Sequence, residues 1–236
     1  MKLLLDIGNT AAKIAVANAG ELIHTEHLTT SWRDTISRLL HIYPIQECRI
    51  SSVAAEDETL AETLRLHNLP TLWLDETTPC TLKRIPKGYG PDRMAADIGA
   101  LAQSAGHTLL TIDAGTCITY DLIDKDGTIL GGIISPGIQL RLRAMHEHTA
   151  RLPLLTPDNN TPFMGTDTHT AMMSAAIHGT RLEAEGYILK LSEQYNDLIV
   201  YTTGGNALQL SDDIPVKVIH DPLLIFKGLA SIDTTS

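Results

Sequence analysis

"LLLDIGNTAAKIAV", residues 3–16, decides how the chain is read. Apolar runs at 2–7 and 12–17 predict two short strands joined by a bend. A plain hairpin needs only a turn-former such as Asn-Gly there. This bend instead carries Asp6, Gly8, Asn9, Thr10 and Lys13, so a carboxylate, a bare backbone, a hydroxyl and a cation fall within eight positions. The turn signal "NAGE" at 18–21 and the run at 22–28 extend the pair into a three-stranded meander.

The pattern returns in the second half. "TLLTIDAGTCITYDLIDKDGTILGGIIS", 108–135, again gives a strand, an Asp-x-Gly turn at Asp113, a second strand, a turn at Asp126-Gly127 and a third strand. Between the two meanders the sequence predicts helices near 31–41 and 57–67 and strands near 49–53 and 71–74. A helix follows at 92–104, with Met94, Ile98 and Leu101 at helical spacing. After "SPGIQ" come a further helix, a Pro- and Asn-rich loop at 151–165, a long helix at 167–194, the strand "DLIVYTTGG" and a closing helix in "DPLLIFKGLASI". Two matching hairpins predict a duplicated α/β architecture with a break near 104–108, hence halves 1–104 and 105–236.

Composition bounds the function. The chain has 236 residues, 43% of them hydrophobic and 19% charged, enough for a proper core and unlike a disordered or fibrous protein. A net charge of −10 argues against a nucleic-acid partner held through phosphate contacts. Cys48, Cys80 and Cys117 are widely spaced and fit neither a disulfide framework nor a zinc site, so all three read as reduced thiols. The amino terminus reads as a strand rather than a signal peptide, and no apolar stretch approaches the roughly 18 residues a membrane helix needs. A cytoplasmic protein with no membrane association is expected.

The residue types in the first bend suit a nucleotide phosphate. Gly8 lets the backbone come close, successive N–H groups can form an anion-binding nest, Thr10 can donate a hydrogen bond and Lys13 brings positive charge. Asp6 cannot bind phosphate itself; its task would be to hold Mg²⁺, directly or through water. The plainer alternative is a turn in which Asp6 and Asn9 satisfy only local backbone groups. Asp113, Gly115 and Thr116 offer a second phosphate turn, and neither G-x-x-x-x-G-K-[ST] nor G-x-G-x-x-G occurs. "TTGGNA" at 202–207 is expected to end a strand and open onto a helix, where a base or ribose can lie on Gly204-Gly205; a tight strand-to-helix turn is the plainer reading. His146 and His148, two residues apart on a helix, do not face one another and are not read as a metal pair. Met172, Ala175, Ala176 and Gly179 form a small-residue face, with core packing as the default.

Through "DIGNTAAK", "GYGPDR", "DAGTCITYD", "GGIISPG", "HTARLP", "TGG" and "DPLLIFKGL", in that order over nearly the whole length, the chain resembles the type III pantothenate kinases. These belong to the superfamily of acetate and sugar kinases, heat-shock ATPases and actin. The resemblance implies two ribonuclease-H-like halves with a nucleotide cleft between them, and ATP-dependent phosphorylation of pantothenate, the first step towards coenzyme A. The phosphate-binding bend would run through Asp6, Ile7, Gly8, Asn9, Thr10, Ala11, Ala12 and Lys13, with Thr116 in the second motif and Gly204 and Gly205 at the adenosine.

Asp113 would anchor a monovalent cation, potassium or ammonium, besides the Mg²⁺ at Asp6. Asp92 matches the general base, Arg93 the residue for pantothenate's carboxylate or amide end, and Tyr89, Gly90 and Pro91 the pocket walls. Thr168 matches a substrate-contacting threonine, contributed by its own or a neighbouring subunit, and a homodimer is implied. "LPLL" at 152–155 departs from the family where relatives often carry a polar or basic residue after the Pro. Two other readings stand beside this one: another small-molecule kinase of the superfamily, and a non-catalytic accessory factor in transcription.

Overall fold

A computed structural model describes residues 1–55, 57–205 and 208–232. The chain forms two compact units. The first comprises Met1–Ala105, Asp126–Ile129 and the described residues from Leu223 onward, and the second comprises Gly106–Lys125 and Leu130–Pro222. A single cut between 104 and 105 would put 126–129 and the last helix in the other half; the observed division keeps both with the first unit.

In the first unit the expected meander is β1 (Lys2–Ile7), β2 (Ala12–Asn18) and β3 (Glu21–His27), followed by α1 (Trp32–Ile42), β4 (Glu47–Ser52), α2 (Glu58–Leu66) and β5 (Thr71–Trp73). After a long loop comes α3 (Pro91–Gln103). The sheet order is β3-β2-β1-β4-β5, with β1 antiparallel to β2 and parallel to β4. A central strand is covered on both faces, which is why Leu3, Leu4 and Leu5 are consecutive and fully buried. Leu3, Leu5, Ile14 and Val16 pack with Trp32, Ile36 and Leu39 of α1 and Leu60 and Leu64 of α2.

Across the sheet lie α3 and the closing helix α6 (Leu224–Ser231). These two helices approach backbone to backbone: a Cβ on Gly228 would stand 1.8 Å from the Ala95 carbonyl oxygen, and one on Gly99 2.3 Å from that of Leu224. No larger residue fits at either point. The buried guanidinium of Arg49 on β4 donates to the carbonyls of Leu229 at 2.9 Å, Ala230 at 3.3 Å and Ile232, closing the carboxyl end of α6.

The second unit repeats the plan. Its strands are β6 (Leu109–Ala114), β7 (Cys117–Ile123), β8 (Ile129–Pro136), β9 (Ile199–Thr203) and β10 (Lys217–His220), with α4 (Ile138–Glu147) and α5 (Thr168–Ser192) between β8 and β9. The order β8-β7-β6-β9-β10 matches β3-β2-β1-β4-β5 strand for strand, again with an antiparallel hairpin and a parallel neighbour at the centre. The fold is α/β, built from two similar halves, each with a five-stranded mixed sheet.

Leu110, Ile112 and Ala114 of β6 pack with Ala184 and Ile188 of α5. The small-residue face expected on α5 divides: Met172 and Ala176 are buried in a row continued by Thr180 and Ala184, whereas Ala175 is exposed. All three cysteines are free, and no helix among the described residues is long and apolar enough to cross a membrane.

Candidate active site

In the first unit the β1–β2 hairpin sets Asp6 and Lys13 opposite each other, as register partners. The bend closes when the Gly8 N–H donates to the Ala11 carbonyl at 3.0 Å, leaving Asn9, Thr10 and Ala11 exposed. Ile7 is tied to the neighbouring segment by Val53, whose N–H donates to its carbonyl at 3.0 Å. A Cβ on Gly8 would meet only the Ala11 oxygen, at an ordinary 3.4 Å, and one on Gly115 only the Cys117 oxygen, at 3.5 Å. The fold does not demand glycine at either turn. Glycine at both leaves the backbone open to close approach.

Burial pushes the Asp6 carboxyl up to about 6; Lys13 opposes the shift and the charge of Asp92 adds to it. Two carboxylates in one electrostatic neighbourhood, one of them desolvated, form a site that a hard cation relieves. Among the described residues no group of three or more His, Cys, Asp or Glu is arranged to hold a metal. This donor set fits Mg²⁺, which commonly takes one or two carboxylates and completes its shell with water and phosphate oxygens.

Asp92 owes its place to the start of α3. Gly90 is the N-cap, Pro91 occupies the first turn, where its missing N–H costs nothing, and Asp92 stands near the positive end of the helix dipole. Its Oδ1 accepts from the Arg93 N–H at 2.8 Å and folds back over Gly90, where a Cβ would lie 2.5 Å from it. The Arg93 guanidinium lies 4.3 Å from the centre of the Tyr89 ring. The Tyr89 hydroxyl donates in turn to Asp97 Oδ2 at 2.6 Å. Sequence reasoning missed Asp97, although a carboxylate inside the apolar face of α3 was a readable signal.

In the second unit Asp113 closes β6 opposite Thr119 of β7, and the turn is held by the Gly115 N–H donating to the Cys117 carbonyl at 2.9 Å. Thr116 is exposed, and its carbonyl accepts from the Gly137 N–H at 3.0 Å, just before α4. Gly204 has φ +97° and is pressed on the same turn: a Cβ there would lie 2.5 Å from both the Ala114 carbonyl oxygen and Asp113 Oδ1. Asp113, Thr116 and Gly204 thus converge on one turn, with Gly205 exposed beside it.

No helix follows "TTGG" among the described residues: Asn206 and Ala207 lie outside them, 208–216 are irregular, and the chain returns to the sheet edge as β10. Thr168 is the exposed first residue of α5, behind the N-cap Asp167, whose side chain forms a capping box with Thr170. His146 Nδ1 lies 2.7 Å from the Leu152 carbonyl oxygen, a tie between α4 and the loop that follows it.

Among solved structures, the chain superposes with a TM-score of 0.59 on a Sinorhizobium meliloti protein described as a 2-dehydro-3-deoxygalactonokinase. That likeness spans 98% of both chains at 12% identity. A Campylobacter jejuni protein assigned to the Baf family of transcriptional activators gives a TM-score of 0.58 at 24% identity, over 98% of this chain and 96% of that one. Likenesses at these identities define the fold, which is that of the actin-like ATPases and sugar kinases.

The family is fixed by sequence. The profile described as type III pantothenate kinase matches residues 2–190. A Bacteroides fragilis protein named type III pantothenate kinase is 36% identical over 235 residues, covering 98% of this chain and 97% of the relative. The chain belongs to the type III pantothenate kinase family.

Proposed function

We propose that this protein transfers the γ-phosphoryl group of ATP to the primary hydroxyl of pantothenate, giving 4'-phosphopantothenate and ADP at the start of coenzyme A synthesis. Family membership supports the reaction. The residue assignment is supported by the pairing of Asp6 with Lys13 across the bend, together with the charge of Asp92, which acts on Asp6 from the head of α3.

In this reading Gly8, Asn9, Thr10 and Lys13 hold the phosphates, with Ile7, Ala11 and Ala12 shaping the bend. Thr116 meets the phosphates from the second turn, and Gly204 and Gly205 form the backbone surface for adenosine. Asp6 would hold Mg²⁺, directly or through water, and the ion would there neutralise charge on the triphosphate. Asp113, with the Ala114 carbonyl beside it, presents oxygen ligands that suit a monovalent cation, potassium or ammonium.

Arg93 binds the acid end of pantothenate, Tyr89, Gly90 and Pro91 wall the pocket, and Thr168 touches substrate in its own or a partner subunit of a homodimer. Asp92 accepts the hydroxyl proton as the new O–P bond forms and the bond to ADP breaks. Phosphoryl transfer through a loose transition state asks mainly for position and charge neutralisation, so an ordinary carboxylate suffices. Free thiols accord with a cytoplasmic setting.

The test is ADP release with and without pantothenate, in potassium, in ammonium and in sodium. ADP formation that requires pantothenate and fails in sodium is expected. ADP formed equally without pantothenate, or only with a sugar as acceptor, overturns the assignment.

A further inference from the structure

We infer that Asp97 is a positioning residue for substrate recognition: through the Tyr89 hydroxyl it fixes the aromatic face on which the Arg93 guanidinium rests. The inference deepens the proposed function and rests on the reading that Arg93 binds the acid end of pantothenate.

Asp97 has no packing reason to be a carboxylate. It is fully buried in α3, and its neighbours Met94, Ala95, Ala96, Ile98, Gly99 and Ala100 are buried as well. An apolar side chain would serve the core there, and a buried carboxylate is costly unless its oxygens are engaged. Its Oδ2 accepts from the Tyr89 hydroxyl at 2.6 Å, which engages that oxygen. Tyr89 is only 5% exposed, so this bond fixes the ring in a single orientation against the helix that bears Asp92 and Arg93.

Arg93 is held over that ring, 4.3 Å from its centre. A guanidinium on a mobile side chain loses rotamer freedom when it grips a carboxylate, and stacking on a fixed face meets that loss before the substrate arrives. Asp97 therefore acts on pantothenate through two intermediaries and touches neither the hydroxyl nor the phosphate.

The experiment is steady-state kinetics on Asp97→Ala, Asp97→Asn, Tyr89→Phe, the Asp97→Ala/Tyr89→Phe double variant and Arg93→Ala, varying pantothenate and ATP separately. Asp97→Ala and Tyr89→Phe are each expected to raise the pantothenate KM about tenfold or more, with kcat and the ATP KM within about threefold of the parent. The double variant should raise the pantothenate KM no further than the worse of the two single ones, because the Tyr89–Asp97 bond is lost in all three. Asp97→Asn, which still presents an acceptor oxygen, should restore most of the pantothenate KM.

If Arg93→Ala raises the pantothenate KM while Tyr89→Phe and Asp97→Ala leave it unchanged, Arg93 keeps its role and the inference falls. If Arg93→Ala itself leaves that KM unchanged, the reading beneath it falls too. A parallel loss in kcat and both KM values, unrescued by Asp97→Asn, would make Asp97 a stability residue only. Should Asp97→Ala not fold, Tyr89→Phe carries the same decision.

Discussion

Asp6 and Lys13 face one another across the first hairpin, yet the carboxylate is still pushed up to about 6, because burial and the charge of Asp92 outweigh the lysine. The folded protein therefore holds the Asp6 proton more tightly than the unfolded chain does. The resulting stabilisation is fully present below about pH 4 and is lost as pH rises through about 6. A rise from 3.8 to about 6 corresponds to at most about 3 kcal/mol. In metal-free buffer, Asp6→Asn should melt at a higher temperature than the parent at pH 7.5 and at a similar temperature at pH 4, while losing Mg²⁺-dependent activity. Equal melting curves for the two proteins at both pH values would remove Asp6 from the strained site.

Asp92→Asn should lower kcat on the order of 10²-fold or more, with ATP affinity nearly unchanged, since the amide cannot take the proton of the attacking hydroxyl. The same variant removes the like charge that raises Asp6, although burial, the larger cause, remains. A carbon-13 titration of the Asp6 carboxyl should therefore move partway back towards the ordinary carboxylate range. Turnover at the parent rate would take Asp92 out of the mechanism.

Gly204→Ala tests the second turn. The position needs φ +97°, and the added Cβ would lie 2.5 Å from two oxygens of the Asp113–Ala114 segment. Strain of roughly 1–3 kcal/mol is expected on the backbone conformation alone, with Asp113 displaced in addition. Urea denaturation should show the lost stability, and ATP titration a weakened affinity even where the protein stays folded. Parent-like values in both would mean that Asp113 and Gly204 do not form one site.

Arg49→Met tests the closure of α6. The methionine fills much of the space but leaves the Leu229, Ala230 and Ile232 carbonyls without the guanidinium that now satisfies them, and Glu47 without its 3.1 Å partner. A loss of about 3 kcal/mol or more is expected from the urea midpoint. Arg49→Lys should recover little, because one ammonium cannot reach three carbonyls and a carboxylate together.

The hairpins were legible because their alternation and their Asp-x-Gly bends occur twice, and duplicated sheets with the same strand order followed from that repetition. Strand β10 was not legible. It is a four-residue edge strand whose Lys217, Val218 and His220 are exposed, so nothing in "KVIH" alternates between core and solvent as a covered strand does.

On α5 the helical period marked a buried face correctly at Met172 and Ala176, but Ala175 belongs to the neighbouring row. When most candidates are small, composition does not choose between adjacent rows. The carboxylate of Asp97 stands out in the apolar run of α3, but its pairing with Tyr89, eight residues back in a loop, is one that no helical spacing reveals. Membership of α6 in the first unit depends on contacts made after more than a hundred intervening residues, which local patterning does not encode.

The tight seam between α3 and α6 has a consequence for biosynthesis. Because the ribosome delivers α6 only after the whole second unit, β1, β4 and α3 emerge with one oily side uncovered and must wait for it. During that interval the nascent amino-terminal unit exposes apolar surface of the kind that chaperones shield.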